Sequence, residues 1–242
     1  MDLLTTYNLL NAHPSPVPLC QKLCTLPEAP PNSLPDIADD DVKIHYQRLV
    51  GSLLYLALCT RPDIVYATMA LGQYNANPTC AHLLAAKGVL RYLLGTIDYG
   101  LKYNFTQTPV GAPASAIIPN NCAFTDADWA SDEHDRRSIS GFALFLFSAL
   151  VAWSAVKQRT TALSSTEAEY MALVHITNSE AVTSRSKHID VRYHFYREHL
   201  SSGSFATSWI PTQDMTADIF TKPLTPTIHD KHVRGLGLVR LP

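Results

Sequence analysis

Three acidic residues lie at positions where an acid contributes little to folding. Asp126 follows a short apolar run in "NCAFTDADWA", Glu169 lies in the first two turns of a predicted helix, and Asp218 lies among apolar residues in "MTADIF". Carboxylates from separate elements that meet at strand ends are a common way to hold Mg²⁺. Two such ions about 4 Å apart can activate a water molecule and stabilise the leaving oxygen of a phosphodiester. Metal-dependent hydrolysis of a phosphodiester is therefore one hypothesis.

Each carboxylate also has a purely structural interpretation. Asp126 is suited to a turn, Glu169 would favour the helix dipole, and Asp218 is suited to a helix cap or to a solvated position. Taken one at a time, the structural interpretation is the more common one. The order of the three residues and the motifs around them shift the weight towards chemistry.

The residues around these carboxylates alternate between strand and helix signals. The predicted order is strand, hairpin, helix, helix, strand and helix. The hairpin joins "SISGFALFLF" to "LVAWSAV" at Ser148 and Ala149, because both runs are rich in strand-forming residues. Ser164 and Glu167 match the S-x-x-E capping box that begins a helix, and Pro223 limits the last helix. The pattern predicts an α/β fold.

The chain is predicted to have four segments. They are a Pro-rich extended strap, a helical segment, a linker and the α/β region, at residues 1–43, 44–106, 107–120 and 121–242. In the helical segment, "YQRLVGSLLYLAL" places Leu49, Leu53 and Leu56 on one face. Three helices of this length can bury one common face.

Composition restricts the classes of function. Apolar residues make up 46% of the chain and charged residues 17%, and the net charge is -2. A protein that binds nucleic acid tightly by itself usually has a basic excess. Five cysteines, with no predicted signal peptide and no apolar run of about 18 residues, indicate free thiols and an intracellular protein without a membrane span. Cys20 and Cys24 resemble half of a zinc site, but no second pair follows.

Six stretches carry a recognisable set of motifs, which are "YQRLVGSLLYLALCTRPDIVYA", "NPTCAHLLAAKGVLRYLLGTIDYGLKY", "TDADWASDEHDRRSISGFALFL", "AWSAVKQRTTALSSTEAEYMAL", "SRSKHIDVRYHFYRE" and "WIPTQDMTADIFTKPL". In this order they resemble the C-terminal part of Ty1/copia-type retrotransposon polyproteins, over nearly the whole chain. Roughly residues 1–105 resemble the end of the reverse transcriptase and its connection segment. The residues from about 121 onward resemble the ribonuclease H domain. The polymerase motif Tyr-x-Asp-Asp is absent, so no polymerase activity is expected.

The resemblance implies a ribonuclease H-like fold, with a mixed sheet and flanking helices. It also implies that the domain cleaves RNA in RNA/DNA hybrids with Mg²⁺, or with Mn²⁺ in its place. Of the family's four catalytic, metal-binding carboxylates, Asp126 matches the first, Glu169 the second and Asp218 the last. The third is an Asp that ends the fourth strand, and it has no counterpart here. Only "VHITNSEAVT" separates "SSTEAEYMAL" from "SRSKHID". Half of a helix, the fourth strand and one metal ligand are therefore expected to be missing, which weakens metal binding.

A defective element copy, or a gene prediction that skipped a segment, would produce this gap. Asp190 and Glu180 are the candidates to replace the missing carboxylate. Asp190 follows Glu169 at a suitable chain distance, although its stretch matches a different family segment. Without the fourth strand, "FATSWIP" would pair directly with "CAFTD" or detach. Each buried backbone group left unpaired costs roughly 1–3 kcal/mol.

Basic side chains near these elements are candidates for contacts with nucleic-acid phosphates. They are Lys157, Arg159, Lys187, His188 and Arg192. The alternative is a solvated strand end for the first two and a solvated helix face for the others. Trp153 and Trp209 are predicted to lie in the core and not to stack on bases.

Two hypotheses of function follow. The first is a ribonuclease H-like retroelement remnant with little or no activity, whose ancestral partners were an RNA/DNA hybrid and the polymerase region. The second is a non-catalytic scaffold that uses the helices of residues 45–94 as a docking surface and self-associates through it.

Overall fold

The computed structural model describes residues 2–23, 39–103, 121–130, 135–177 and 208–241. The predicted linker, and the predicted helix in "IDVRYHFYREHL", lie outside these residues. Helices α1 to α4 are Asp2–Thr6, Asp39–Cys59, Val65–Gly72 and Cys80–Gly95. A 3₁₀ turn, Pro62–Ile64, precedes α3.

The helices bury the face that the sequence predicts. Leu49 and Leu53 of α2 are fully buried, and Leu56 packs partly buried against the same core. Thr79 caps α4, because its hydroxyl accepts a hydrogen bond from the backbone N–H of His82. The predicted three-helix core is confirmed in this respect.

The N-terminal strap packs against these helices. The Tyr7 hydroxyl donates to the carbonyl of His45 at 2.8 Å, and Arg91 donates to the carbonyl of His13 at 2.7 Å. Leu4 is buried in the common core. Residues 1–43 were predicted to be extended. They contain α1 near their start and the first residues of α2 near their end, so the strap is not extended throughout.

Five strands are present in the described residues. Strands β1 to β5 are Tyr99–Leu101, Asn121–Asp128, Ile139–Leu146, Ala149–Lys157 and Leu238–Arg240. The order β2-β3-β4 forms one antiparallel sheet, and β1 pairs with β5 in a second. The structure is therefore a mixed α/β architecture with antiparallel sheets.

The predicted hairpin forms β3 and β4, with its turn shifted by one residue. Phe147 and Ser148 occupy the turn, and their φ angles are 50° and 63°. Two central residues with positive φ define the type I′ turn, which suits the twist of a two-residue hairpin. Neither residue is a glycine, so the backbone is strained at both positions.

Helix α5, Ser165–Thr177, begins at the predicted capping box. The backbone N–H of Glu167 donates to the Ser164 hydroxyl at 3.1 Å. The Glu167 carboxylate accepts from the backbone N–H of Leu163 at 2.7 Å, one residue before the usual partner. The helix start is thus confirmed.

The two faces of the β2-β3-β4 sheet pack against different elements. Gln158 donates both to the Ser140 hydroxyl of β3 and to the Ala168 carbonyl of α5, so the Ser140 side chain faces α5. Successive side chains of a strand point to opposite faces. Ala143 of β3, an odd number of residues away from Ser140, therefore lies on the other face, where it pairs with Trp153.

Trp153 attaches this other face to the helical segment. Its indole N–H donates to the carbonyl of Ala57 in α2 at 2.8 Å, and its ring packs partly buried against the core. The predicted core position of Trp153 is confirmed. Trp209 is 84% exposed, so its predicted core position is wrong. The described part of the predicted strand "FATSWIP", residues 208–211, is not a strand.

The C-terminal residues return to the helical segment. Two 3₁₀ turns, Thr212–Asp214 and Thr216–Phe220, precede helix α6, Pro226–Gly235. Gly237, with φ +83°, ends this helix and leads into β5, as expected for a glycine after a helix C-terminus. The pairing of β5 with β1 then joins the two halves of the chain.

A buried ion-pair network stabilises the base of the helical segment. Arg61 donates to both carboxylate oxygens of Asp63, at 2.9 and 2.7 Å, and to the hydroxyl and carbonyl of Thr96. The Tyr92 hydroxyl donates to Asp63 at 2.6 Å. Burial, followed by the charge of Asp63, raises the pKa of Tyr92 above its usual range. The ring of His229 in α6 packs edge-on against Tyr92, which links the network to the C-terminal region.

Candidate carboxylate site on the sheet

Asp126 lies inside β2, directly opposite Gly141 of β3. Residues opposite each other in an antiparallel pair project to the same face. Since Gly141 and Ala143 are two residues apart, Asp126 faces the helical segment and the C-terminal turns. Its interpretation as a turn-forming residue is wrong, because β2 continues to Asp128.

Asp218 lies in the 3₁₀ turn Thr216–Phe220 and is only 3% exposed. The predicted helical character of "TADIFTKPL" is confirmed as 3₁₀ geometry. A solvated position for Asp218 is wrong, because its carboxylate is buried against the sheet. A carboxylate at such a position requires a partner charge or hydrogen bond.

Lys222 lies beside both carboxylates, and Thr221 contacts the carboxylate of Asp126. The Lys222 ammonium lies 2.9 Å from Asp218 Oδ2 and 3.9 Å from Asp126 Oδ2. The Thr221 hydroxyl donates a short hydrogen bond to Asp126 Oδ2. The backbone N–H groups of both residues donate to the carbonyl of Asp218, at 3.3 Å from Lys222 and 3.2 Å from Thr221. The turn therefore presents a cation and a hydroxyl to the carboxylates.

Gly141 permits this close approach of turn and sheet. A Cβ atom at this position would lie 2.6 Å from Phe220 Cβ, 2.9 Å from Thr221 Cγ2 and 3.2 Å from the Ala217 carbonyl oxygen. Only a residue without a side chain can lie there without displacing the turn. Because Gly141 has no side chain, the turn can approach β3 closely enough to bring Asp218 and Thr221 beside Asp126.

Burial dominates the electrostatics of the site. It raises the pKa of Asp218 to about 6, and the nearby charge of Asp126 adds to this while Lys222 opposes it. The pKa of Lys222 is raised, because the attraction of Asp218, Asp126 and Asp128 outweighs burial. The ammonium therefore stays protonated at neutral pH.

Glu169 does not join this cluster. It lies on α5, the helix that faces Ser140 on the opposite side of the sheet, and its side chain is exposed. The buried face of α5 consists instead of Ala168 and Ala172. In the described residues, Asp126 and Asp218 come together and Glu169 stays apart.

The described residues do not fit the metal centre that the resemblance implies. No group of three or more His, Cys, Asp or Glu side chains within them could hold a metal ion. The next acid along β2, Asp128, forms an ion pair with Lys22 at 3.2 Å. A two-metal site needs several carboxylate ligands, and the cluster offers two neighbouring carboxylates beside an ammonium group, which lies 2.9 Å from Asp218 and 3.9 Å from Asp126.

The predicted nucleic-acid-binding residues are only partly described. Lys157 forms an ion pair with Asp135 at 3.0 Å and a hydrogen bond with Gln73 at 3.3 Å, and Arg159 is exposed. The remaining candidates lie outside the described residues, as do the two candidate replacement acids; they are Lys187, His188, Arg192, Glu180 and Asp190. Nucleic-acid binding therefore remains a prediction.

Three residues of the site were not predicted from the sequence, namely Gly141, Thr221 and Lys222. The i,i+4 spacing of Asp218 and Lys222 on a predicted helix was a usable signal, since such a pair can interact along a helix. The role of Gly141 depends on the register of β3 and on a contact between distant parts of the chain. No local pattern contains that information.

Comparison with known proteins identifies the class of the chain. It is similar over its whole length to the retrovirus-related Pol polyproteins from transposons RE2 and RE1 of Arabidopsis thaliana, at 33% and 32% identity. The chain therefore belongs to the Pol polyproteins of retrotransposons. More narrowly, it belongs to the Ty1/copia type, and the resemblance found in the sequence is confirmed.

The chain spans 18% of the length of each of these two polyproteins. A secreted RxLR effector protein, number 161, of Plasmopara viticola is 43% identical over 57% of this chain and 90% of its own length. No protein-family profile matches the chain. No solved structure matches it either. No helix in the described residues is both long and apolar enough to cross a membrane.

Proposed function

We propose that residues 121–242 are a ribonuclease H-like domain of a Ty1/copia-type retroelement that has lost most or all of its ability to cleave RNA in RNA/DNA hybrids. The ancestral reaction requires Mg²⁺ or Mn²⁺ held by four carboxylates. Here the third acid is missing from the sequence. The domain is in this sense a pseudoenzyme that retains part of its ancestral site.

One geometric observation carries this proposal. Asp126 and Asp218 are far apart in the chain, yet the structure places both carboxylates on one ammonium group, at 3.9 and 2.9 Å. Two acids that match family positions and meet on a sheet support a ribonuclease H-like origin. The exposed position of Glu169 on the opposite side supports the loss of function.

The comparison with RE2 supports a missing segment. The alignment runs over 280 residues, whereas this chain has 242, so at least 38 aligned positions have no residue here. An average strand has about 5–6 residues and an average helix about 11–12. The difference is large enough for the half helix and the fourth strand that the motif order predicts to be missing.

The test is hybrid cleavage by the purified full chain with Mg²⁺ and with Mn²⁺, beside an Asp126→Asn control. Circular dichroism on the same samples establishes that both proteins are folded. We expect no metal-dependent cleavage above that of the control. Cleavage that is metal-dependent and lost in Asp126→Asn would contradict the proposal, and Asp190→Asn would then identify a replacement ligand.

A second candidate function is that of a non-catalytic scaffold, which an exposed apolar face of α2 favours. Tyr55 is 70% exposed, Leu58 58% and Leu54 43%. These side chains project from one side of a 21-residue helix, with Gly51 nearby in open space. We propose that this face binds the same face of a second copy, because one long apolar helix surface can be self-complementary.

Light scattering coupled to size exclusion tests this second candidate. The wild-type chain is expected to form a dimer that dissociates on dilution. The double variant Tyr55→Ser, Leu58→Ser is expected to be monomeric with an unchanged circular dichroism spectrum. A monomeric, well-dispersed wild-type protein would exclude self-association through this face.

A further inference from the structure

The carboxylate pair already contains a cation, and that cation belongs to the chain. Lys222 reaches both Asp126 and Asp218, and its side chain is only 31% exposed. Asp218, at 4% side-chain exposure, has little access to water. The lysine is therefore the group that neutralises a buried carboxylate, and not a mobile surface residue near it.

The Thr221 hydroxyl is a second group of the turn that contacts the carboxylate pair. It donates to Asp126 Oδ2, the same oxygen that lies 3.9 Å from the ammonium. Mg²⁺ requires about six oxygen ligands at roughly 2.0–2.1 Å in an octahedral arrangement. A divalent ion bound by the two Oδ2 atoms would compete for them with the ammonium and, at Asp126, with the hydroxyl. The described residues supply no third acid in exchange.

We propose that Lys222 is the resident cation of the Asp126–Asp218 pair, so that the cluster is a metal-independent clamp which fastens the turn Thr216–Phe220 to the sheet. The clamp joins β2 to the C-terminal region, because Asp126 comes from the strand and the other members follow one another in the turn. Gly141 completes it by letting the backbone of the turn lie directly on β3. A position that is catalytic by ancestry thus has a structural role.

This role predicts how the wild-type protein responds to metals. Because the ammonium of the chain itself lies beside both carboxylates and balances one of their charges, the thermal unfolding temperature of the wild-type protein should be the same in EDTA as with an excess of Mg²⁺ or Mn²⁺. Calorimetric titration with Mn²⁺ should show no binding that Asp126→Asn abolishes. Neither measurement needs a variant of Lys222, so the test stands even if such a variant fails to fold. Hybrid cleavage is not used as a readout, so failure of this proposal is distinguishable from failure of the proposed function.

Substitution of the lysine should expose the pair to external cations. Lys222→Met keeps a long unbranched side chain and removes its charge. It should unfold at a lower temperature than the wild type in EDTA, and Mn²⁺ should raise that temperature. Lys222→Arg retains a cation and should remain insensitive to Mn²⁺. Adding Asp126→Asn to Lys222→Met should remove the gain from Mn²⁺, which locates the effect at this pair.

Two results would overturn the proposal. The first is a rise in the unfolding temperature of the wild type with Mn²⁺ that disappears in Asp126→Asn, because the lysine would then yield to a metal ion. The second is a Lys222→Met protein as stable as the wild type in EDTA and equally insensitive to Mn²⁺. In that case the ammonium would contribute nothing to holding the turn.

Discussion

Replacing Gly141 by alanine tests how closely the C-terminal turn packs on the sheet. The new Cβ would lie 2.6 Å from Phe220 Cβ and 2.9 Å from Thr221 Cγ2, well inside the roughly 3.5–4.0 Å of an optimal carbon–carbon contact. Phe220 is fully buried, so it cannot swing away into solvent. The turn must therefore move off β3, which carries Thr221 away from Asp126.

Overpacking of this kind costs about 1–3 kcal/mol. For a chain of this size, that loss lowers the unfolding temperature by roughly 2–12 °C. Thermal and urea denaturation measure the loss directly. Hydrogen exchange in a peptide that spans residues 216–222 should accelerate, because the amides of Thr221 and Lys222 are held by hydrogen bonds inside the displaced turn.

Gly88→Ala is the matched control. Gly88 lies inside α4, and a Cβ there would have no heavy atom within 4 Å beyond its chain neighbours and the backbone of its own helix. Alanine is favoured over glycine in a helix interior by about 0.5–1 kcal/mol, so this control should stabilise the protein. If Gly141→Ala were as stable as Gly88→Ala, with unchanged exchange in residues 216–222, the close packing of turn and sheet would be refuted.

Three further variants, one of them a double substitution, have definite expected effects. Asp63→Asn should lower the free energy of unfolding by about 3–5 kcal/mol in urea denaturation, because it leaves the buried Arg61 without its counter-charge. His232→Phe should lose less stability than the wild type when the pH falls from 6.5 to 4. Burial and neighbouring positive charges lower the pKa of His232 to about 4, which corresponds to about 3 kcal/mol of unfolding free energy. Phe147→Asn with Ser148→Gly should stabilise by about 1 kcal/mol in thermal unfolding, because both positions have positive φ.

Each of these has a control or a contrary outcome. Asp230→Asn removes an ion pair that is largely exposed, so it should change stability by less than about 1 kcal/mol. An equal loss in both Asp variants would contradict the role of burial. An unchanged acid slope in His232→Phe, or a hairpin double variant less stable than the wild type, would contradict the other two predictions.

The sign of the histidine effect follows from linkage. A base whose pKa is lowered by folding stabilises the native state fully above its unfolded pKa, and this stability is lost as the pH falls through the folded pKa. The titratable groups that act on His232 are Lys231, His229, Lys222 and Asp214. Asp218 acts in the opposite direction, because its raised pKa favours the native state at low pH and this contribution fades as the pH rises through about 6. Subtracting the wild-type plot of unfolding free energy against pH from the plot for His232→Phe isolates the part that His232 contributes.

Local sequence patterns predicted the elements of the fold well. The helical period that places Leu49 and Leu53 on one face, and the capping box at Ser164, depend on neighbours within a few residues. The hairpin was also predicted, but its turn lies at Phe147 and Ser148, because turn position depends on the pairing register of the strands. The burial of Leu4 and Tyr7 in the N-terminal strap depends on contacts with distant helices.

The sequence named two of the residues that the structure brings together and missed Gly141, Thr221 and Lys222, and a catalytic role for any of them stays a prediction. The resemblance named Asp126, Glu169 and Asp218, and the structure brings the first and last together. Glu169 is separated from them because the alternation of β3 places α5 on the opposite face. Lys222 matters to the site because the buried carboxylate of Asp218 needs a partner charge, which the lysine supplies. Burial of a charge is a tertiary property, which the spacing of residues along the chain does not determine.

The folded chain holds Asp126 and Asp218 together, and we expect it to do so without forming a metal centre. An NMR titration of the isotope-labelled full chain with paramagnetic Mn²⁺ tests this expectation, because Mn²⁺ broadens the signals of nuclei close to the bound ion. The amides of Asp126, Gly141 and Asp218 should broaden no more than exposed amides elsewhere. Selective broadening of these three amides at low Mn²⁺, reversed by EDTA, would contradict it.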